Sequence, residues 1–90
     1  MAYAELDEAI NWYKKHGGSK LAARFFRNYQ KLRDRILNRP FQFAEVEMGC
    51  MQAVLENFPF VVIYFLSEDE LIILAVFHTG RNPKNWQDRV

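Results

Sequence analysis

The sequence has 90 residues, half of them apolar, with eight Phe, four Tyr and two Trp. That suits one packed domain over residues 1–90 and excludes a disordered chain, whose apolar content is too low to offset the entropy of ordering. The net charge is +1, but it is unevenly spread: residues 1–40 hold nine Lys/Arg against four Asp/Glu, and residues 41–90 hold three against seven. Such polarity favours docking on a charged partner more than the near-zero total suggests.

The N-terminus carries Glu5, Asp7 and Glu8 where a secretory signal would carry bases, and no apolar core follows. The longest apolar stretch, 58–66, is too short for a membrane-spanning helix. Cys50 is the single cysteine, so neither an internal disulfide nor a CxxC metal site can form. These features lead us to expect a soluble cytoplasmic protein.

Leu6, Ala9, Ile10 and Tyr13 recur at the spacing of one helix face. Acids lie at the start of this segment and Lys14, Lys15 and His16 at its end, matching the helix dipole. Gly17-Gly18 is expected to break the helix, and Ser19 to N-cap the next. A second helix is expected from about Lys20 to about Asn38. Leu21, Phe25, Leu32 and Ile36 form its apolar stripe, widened by Ala22, Phe26, Tyr29 and Leu37. Pro40 disfavours helical geometry at Arg39 and should stop it. Two amphipathic helices joined so tightly form an antiparallel hairpin.

Beyond Pro40 the period shortens. Residues 41–46 suit a short strand or an extended loop, and 51–56 a better strand. Residues 60–66 and 71–78 are rich in Val, Ile, Phe and Tyr and should be strands joined by the polar turn Ser67-Glu68-Asp69-Glu70. Gly80 ends the run, and Pro83 can open a short terminal helix through Arg89. There are no repeats. The expected fold class is α+β: a two-helix antiparallel hairpin packed on a three- to four-stranded antiparallel sheet with a short C-terminal helix.

The strands at 60–66 and 71–78 are apolar on both faces, whereas a sheet with one wet face should alternate. The helices can cover only one face. Leaving three to six such side chains exposed forgoes about 1.5–3 kcal/mol each, comparable to the roughly 5–15 kcal/mol stability of a domain. The terminal helix, a second copy in a homodimer, or a partner's helix is expected to cover the other.

The segment Glu5-Leu6-Asp7-Glu8-Ala9-Ile10-Asn11-Trp12-Tyr13 resembles the first helix of RelE/ParE-superfamily toxins. Phe58-Pro59-Phe60 is similar to their Phe-Pro-Tyr motif, and Ile73 to His78 with Arg81, Pro83, Trp86 and Arg89 is similar to their closing strand and tail. The resemblance covers essentially the whole chain. It implies a toxin of a type II toxin–antitoxin system, with the attendant roles in plasmid stabilisation and stress response. It also implies a cognate antitoxin whose C-terminal segment wraps the toxin. RelE-like members cut ribosome-bound mRNA without a metal; ParE-like members inhibit DNA gyrase.

Three departures bear on activity. The family pattern has a β-strand before the first helix, and this sequence begins almost at the helix. Met51 and Gln52 stand where many relatives carry arginines, and Phe60 replaces the motif tyrosine. Metal-free RNA cleavage needs fixed cationic donors at its transition state, and only Arg81, His78 and Arg89 remain as candidate catalytic residues. His78 also suits a strand-end structural role, Arg81 a surface charge, and Trp86 and Arg89 a clamp holding the tail to the sheet.

Lys20, Arg24, Arg27, Lys31 and Arg35 form a basic row opposite the apolar stripe of the second helix, suited to phosphates, to an acidic antitoxin, or simply to solvent. The interleaved Phe25, Phe26 and Tyr29 read as core, Cys50 as packing, and His16 as a dipole partner. No Gly-rich phosphate loop, catalytic triad or metal-ligand spacing occurs, so neither cofactor nor metal is expected. The leading expectation is a toxin-like protein that binds an antitoxin segment and has weak or lost catalytic activity. The alternatives are an active ribosome-dependent mRNA interferase and a gyrase inhibitor.

Overall fold

A computed structural model describes residues 2–79 of the chain. Two helices, α1 (Ala2–Gly17) and α2 (Ser19–Asn38), precede four strands: β1 (Ala44–Glu45), β2 (Met51–Val54), β3 (Phe60–Ser67) and β4 (Glu70–His78). The strands form an antiparallel meander in the order β1-β2-β3-β4. The expected α+β architecture is therefore present, with the full four strands. The terminal helix expected through Arg89 lies outside the described residues.

The helical hairpin turns on one residue, where the Gly-Gly pair suggested two. Gly17 is still helical. The Gly18 N–H donates to the Lys14 carbonyl oxygen, and its own carbonyl accepts from the Ala22 N–H, each at 3.2 Å. One residue thus closes α1 and opens α2. Its φ of 90° is a conformation that a Cβ disfavours. Gly18, and not Ser19, occupies the N-cap, and no side chain caps the helix. Ser19 is already the first helical residue, which takes its hydroxyl out of the capping position.

The buried face of α2 comprises Ala22, Phe25, Tyr29, Leu32 and Ile36. Phe26 and Leu37, expected to widen that face, are instead 37% and 57% exposed. At about 100° per residue each points well away from the centre of the stripe. From the α1 side, Leu6, Ala9 and Tyr13 are buried against the same core, which includes Ala53, Leu55, Phe58, Phe60, Val62, Tyr64 and Val76.

Four rings tie the layers together at one end. Tyr13 meets Phe25 and Phe58 at centroid distances of 5.1 and 5.2 Å. Phe25 meets Phe58 at 5.3 Å and Phe60 at 5.0 Å, both edge-on. The Phe58-Pro59-Phe60 motif is thus the anchor that fixes the β-meander to the helical hairpin. Pro59, which lacks an N–H, precedes β3 and offers its carbonyl to the Thr79 N–H at 2.8 Å.

The second sheet face carries its own small apolar cluster. Cys50, Ile63 and Ala75 are buried there, with Phe65, Leu74 and Phe77 packed against them. A register irregularity makes this cluster: Ile63 pairs with Ala75 but Tyr64 pairs with Ile73, leaving Leu74 as an extra residue. The bulge places Ile73 and Val76 on the helix side and both Leu74 and Ala75 on the other. Val61 and Ile63, expected to be shielded by the terminal helix, a second copy or a partner's helix, are 5% and 1% exposed within the single chain. Val54 at 56% is the exposed apolar residue left beside them on β2.

Candidate partner-binding groove

A groove of about 900 Å³ runs between α1 and the ends of β3 and β4. Its α1 wall presents Glu5, Glu8, Trp12, Lys15 and His16; its sheet wall presents Pro59, Phe60, Phe77 and His78. The helix places these groups on one side because they recur three or four residues apart. Tyr13 and Ala9 close its floor on the core side, where both are buried.

Trp12 is 55% exposed, unusual for the largest apolar side chain. Its orientation is nevertheless held. The His16 ring stacks on it at 4.3 Å and 21°, and His16 Nδ1–H donates to the Trp12 carbonyl oxygen at 2.9 Å. The Tyr13 ring meets the Trp12 ring edge-on at 5.2 Å. On the opposite wall the rings of Phe60 and His78 meet edge-on at 5.4 Å. Glu5 bridges the two walls, its Oε1 accepting a 3.2 Å hydrogen bond from the Val76 N–H. That backbone N–H points away from β3, and the carboxylate satisfies it.

The expected catalytic trio is only partly within the described residues. His78 stands at the exposed end of β4, inside the groove; Arg81 and Arg89 lie outside the described residues, as does Trp86. Gln52 pairs with Ile63 and His78 pairs with Phe60, so the two occupy opposite faces of the sheet. Two strand spacings and three residues of offset separate them by about 14 Å. Met51 faces the main core beside Tyr64. Restoring arginines at Met51 and Gln52 would therefore not bring both beside His78.

The basic row is where periodicity puts it. Lys20, Arg24, Arg27, Lys31 and Arg35 are all exposed along α2, and the Arg35 guanidinium lies 5.5 Å over the Phe43 ring. Phe25 and Tyr29 are core, as expected. Cys50 is buried, its thiol donating to the Met48 carbonyl oxygen at 3.7 Å, and burial raises its pKa. Burial likewise raises the pKa of Tyr13 and Tyr64. No group of three or more metal-binding side chains occurs among the described residues. No helix among them is long and apolar enough to cross a membrane.

The groove is what residue-by-residue reading missed. Its one signal was Trp12, an aromatic off the Leu6–Ala9–Tyr13 stripe of α1. Glu5 and His78 come together across 73 residues of chain, and nothing local marks that.

No family model matches this sequence, and no curated protein does. Among solved structures, a chain described as belonging to the chromosomal ParDE TA system from P. aeruginosa superposes with a TM-score of 0.73. The two are 22% identical, and the match covers 86% of each chain. Two helices followed by an antiparallel four-stranded meander, superposable over most of its length on that chain, give this protein a ParE-like α+β fold.

Proposed function

We propose that the protein is the toxin-like member of a toxin–antitoxin pair, and that the α1–β4 groove receives a segment of its antitoxin. The observation that carries this reading is the likeness to a chain of a ParDE TA system over 86% of both lengths. The groove supplies the means. Trp12 offers exposed apolar area for an anchoring side chain, while Glu5, Glu8 and Lys15 form a polar rim. That is the composition of a partner-binding patch, with an aromatic anchor inside and charges outside.

Catalytic activity is weak or lost on this reading. Phosphoryl-transfer chemistry at RNA needs several cations converging on one phosphate. Met51 faces the core and Gln52 lies across the sheet from His78. The ParDE neighbour also favours a second reading over ribosome-dependent mRNA cleavage: inhibition of DNA gyrase, a binding function that requires no catalytic arginine. The protein acts in the cytoplasm on either reading.

The test is controlled expression in a bacterial host, with and without the product of the adjacent reading frame. The expected result is a co-purifying complex that Trp12→Ala weakens. Failure of the adjacent product to bind the purified protein would overturn the antitoxin assignment. A supercoiling assay decides the second reading, and unaltered gyrase turnover at micromolar protein removes it.

A further inference from the structure

We propose that the outer face of α2 binds a nucleic-acid strand through its phosphates, without regard to base sequence, at a site separate from the groove. Five cations define it. Lys20, Arg24, Arg27, Lys31 and Arg35 are all exposed. At 100° and 1.5 Å per residue they fall within an arc of about 80° and extend over about 22 Å. The successive rises are about 6, 4.5, 6 and 6 Å, close to the separation of neighbouring phosphates along an extended strand. Each cation can thus meet its own phosphate.

The rest of the helix reinforces the field. Asp34 is the one acid on α2, and the first turn holds none. Three of the five are arginines, whose planar forks hold phosphate oxygens in pairs. The Arg35 side chain is already placed by its stacking on Phe43.

What the face lacks decides between a nucleic acid and an acidic protein. The other residues of α2 within about 60° of the centre of this row are Asn28, Asp34 and Asn38, with no large apolar or aromatic anchor among them. Protein interfaces draw most of their affinity from buried anchors of that kind. Backbone binding to nucleic acid draws it from counterion release and requires none. The exposed large apolar side chains nearby lie off this arc, Phe26 and Leu37 on other sides of α2 and Phe41 beyond its end, and Trp12 lies in the groove.

This proposal does not depend on the antitoxin reading, and its test leaves the groove intact. A labelled oligonucleotide of mixed sequence and a labelled oligo-dT of equal length are titrated with the full chain, and anisotropy is read between about 50 and 200 mM salt. Neutralising five phosphates of a single strand should weaken binding roughly 100-fold over that range. The triple variant Arg24→Gln, Arg27→Gln, Lys31→Gln should retain only roughly a 7-fold dependence. Arg33→Gln, exposed on a different side of α2, should behave as the parent. Circular dichroism confirms that each variant is folded. Equal affinity for both oligonucleotides supports the proposal. No binding at the lowest salt, an unchanged salt dependence in the triple variant, or equally tight binding of a labelled poly-glutamate would each overturn it.

Discussion

The Tyr64 hydroxyl donates a 2.6 Å hydrogen bond to the Pro40 carbonyl oxygen, joining the centre of β3 to the segment that leaves α2. Tyr64 is fully buried, so its hydroxyl has no water to turn to. Tyr64→Phe removes the donor and leaves the carbonyl without it. We expect a loss of about 0.5–1.5 kcal/mol, read as a lower urea midpoint with an unchanged m-value.

The same burial fixes an alkaline limit on stability. Desolvation raises the pKa of Tyr64, Tyr13 and Cys50 in the folded chain. The unfolded chain gives up these protons first, the thiol near about 8.5 and the phenols near about 10. Stability is therefore fully present below those values and falls as pH rises through the higher folded-state values. Urea midpoints should be level on this account from neutral pH to about 8 and decline above it. Tyr64→Phe should decline less steeply; an identical slope would remove Tyr64 from the explanation.

Two positions of positive φ invite opposite substitutions. At the β3–β4 turn, Glu68 and Asp69 have φ of 48° and 71° between the paired residues Ser67 and Glu70. Both central residues are left-handed, as a two-residue type I′ hairpin requires, and Asn-Gly suits that geometry better than Glu-Asp. Glu68→Asn with Asp69→Gly should stabilise the protein by about 1 kcal/mol, raising Tm by roughly 4–8 °C. At Gly18, φ is 90° and a Cβ would meet no other atom. Gly18→Ala should therefore destabilise through backbone strain alone, by about 1–2 kcal/mol.

Trp12 and Phe25 separate function from fold. Phe25 is fully buried between Tyr13, Phe58 and Phe60; Phe25→Ala should cost about 3–5 kcal/mol and leave little folded protein. Trp12 is 55% exposed. Trp12→Ala should shift stability by no more than about 0.5 kcal/mol and weaken antitoxin binding by more than about 2 kcal/mol. Calorimetric titration beside thermal melting distinguishes the two, and unaltered affinity would put the antitoxin elsewhere.

The elements themselves were legible in the residues, and for local reasons. A 3.6-residue apolar period in 6–36 and runs of β-branched and aromatic residues in 60–78 constrain the backbone within a few positions of themselves. Pro40 stopped α2 close to where it was expected to, at Asn38. The likeness carried by Phe58-Pro59-Phe60 led to the ParE-like fold, and the motif proved to be the anchor between the layers. Ser19 misled because a preferred capping residue sits next to a glycine that already serves as the cap.

What sequence determined by itself, then, was the helices and strands from α1 to β4, the centre of the core face of α2 and the basic row opposite it, all governed by periods of two or 3.6 residues. Tertiary structure decided the rest. The bulge at Leu74 decided which side chains of β4 face the helices, Glu5 came to rest on Val76, and Trp12 came to share a groove with His78. Those relationships depend on packing between segments up to 73 residues apart, and no local period encodes a contact of that kind.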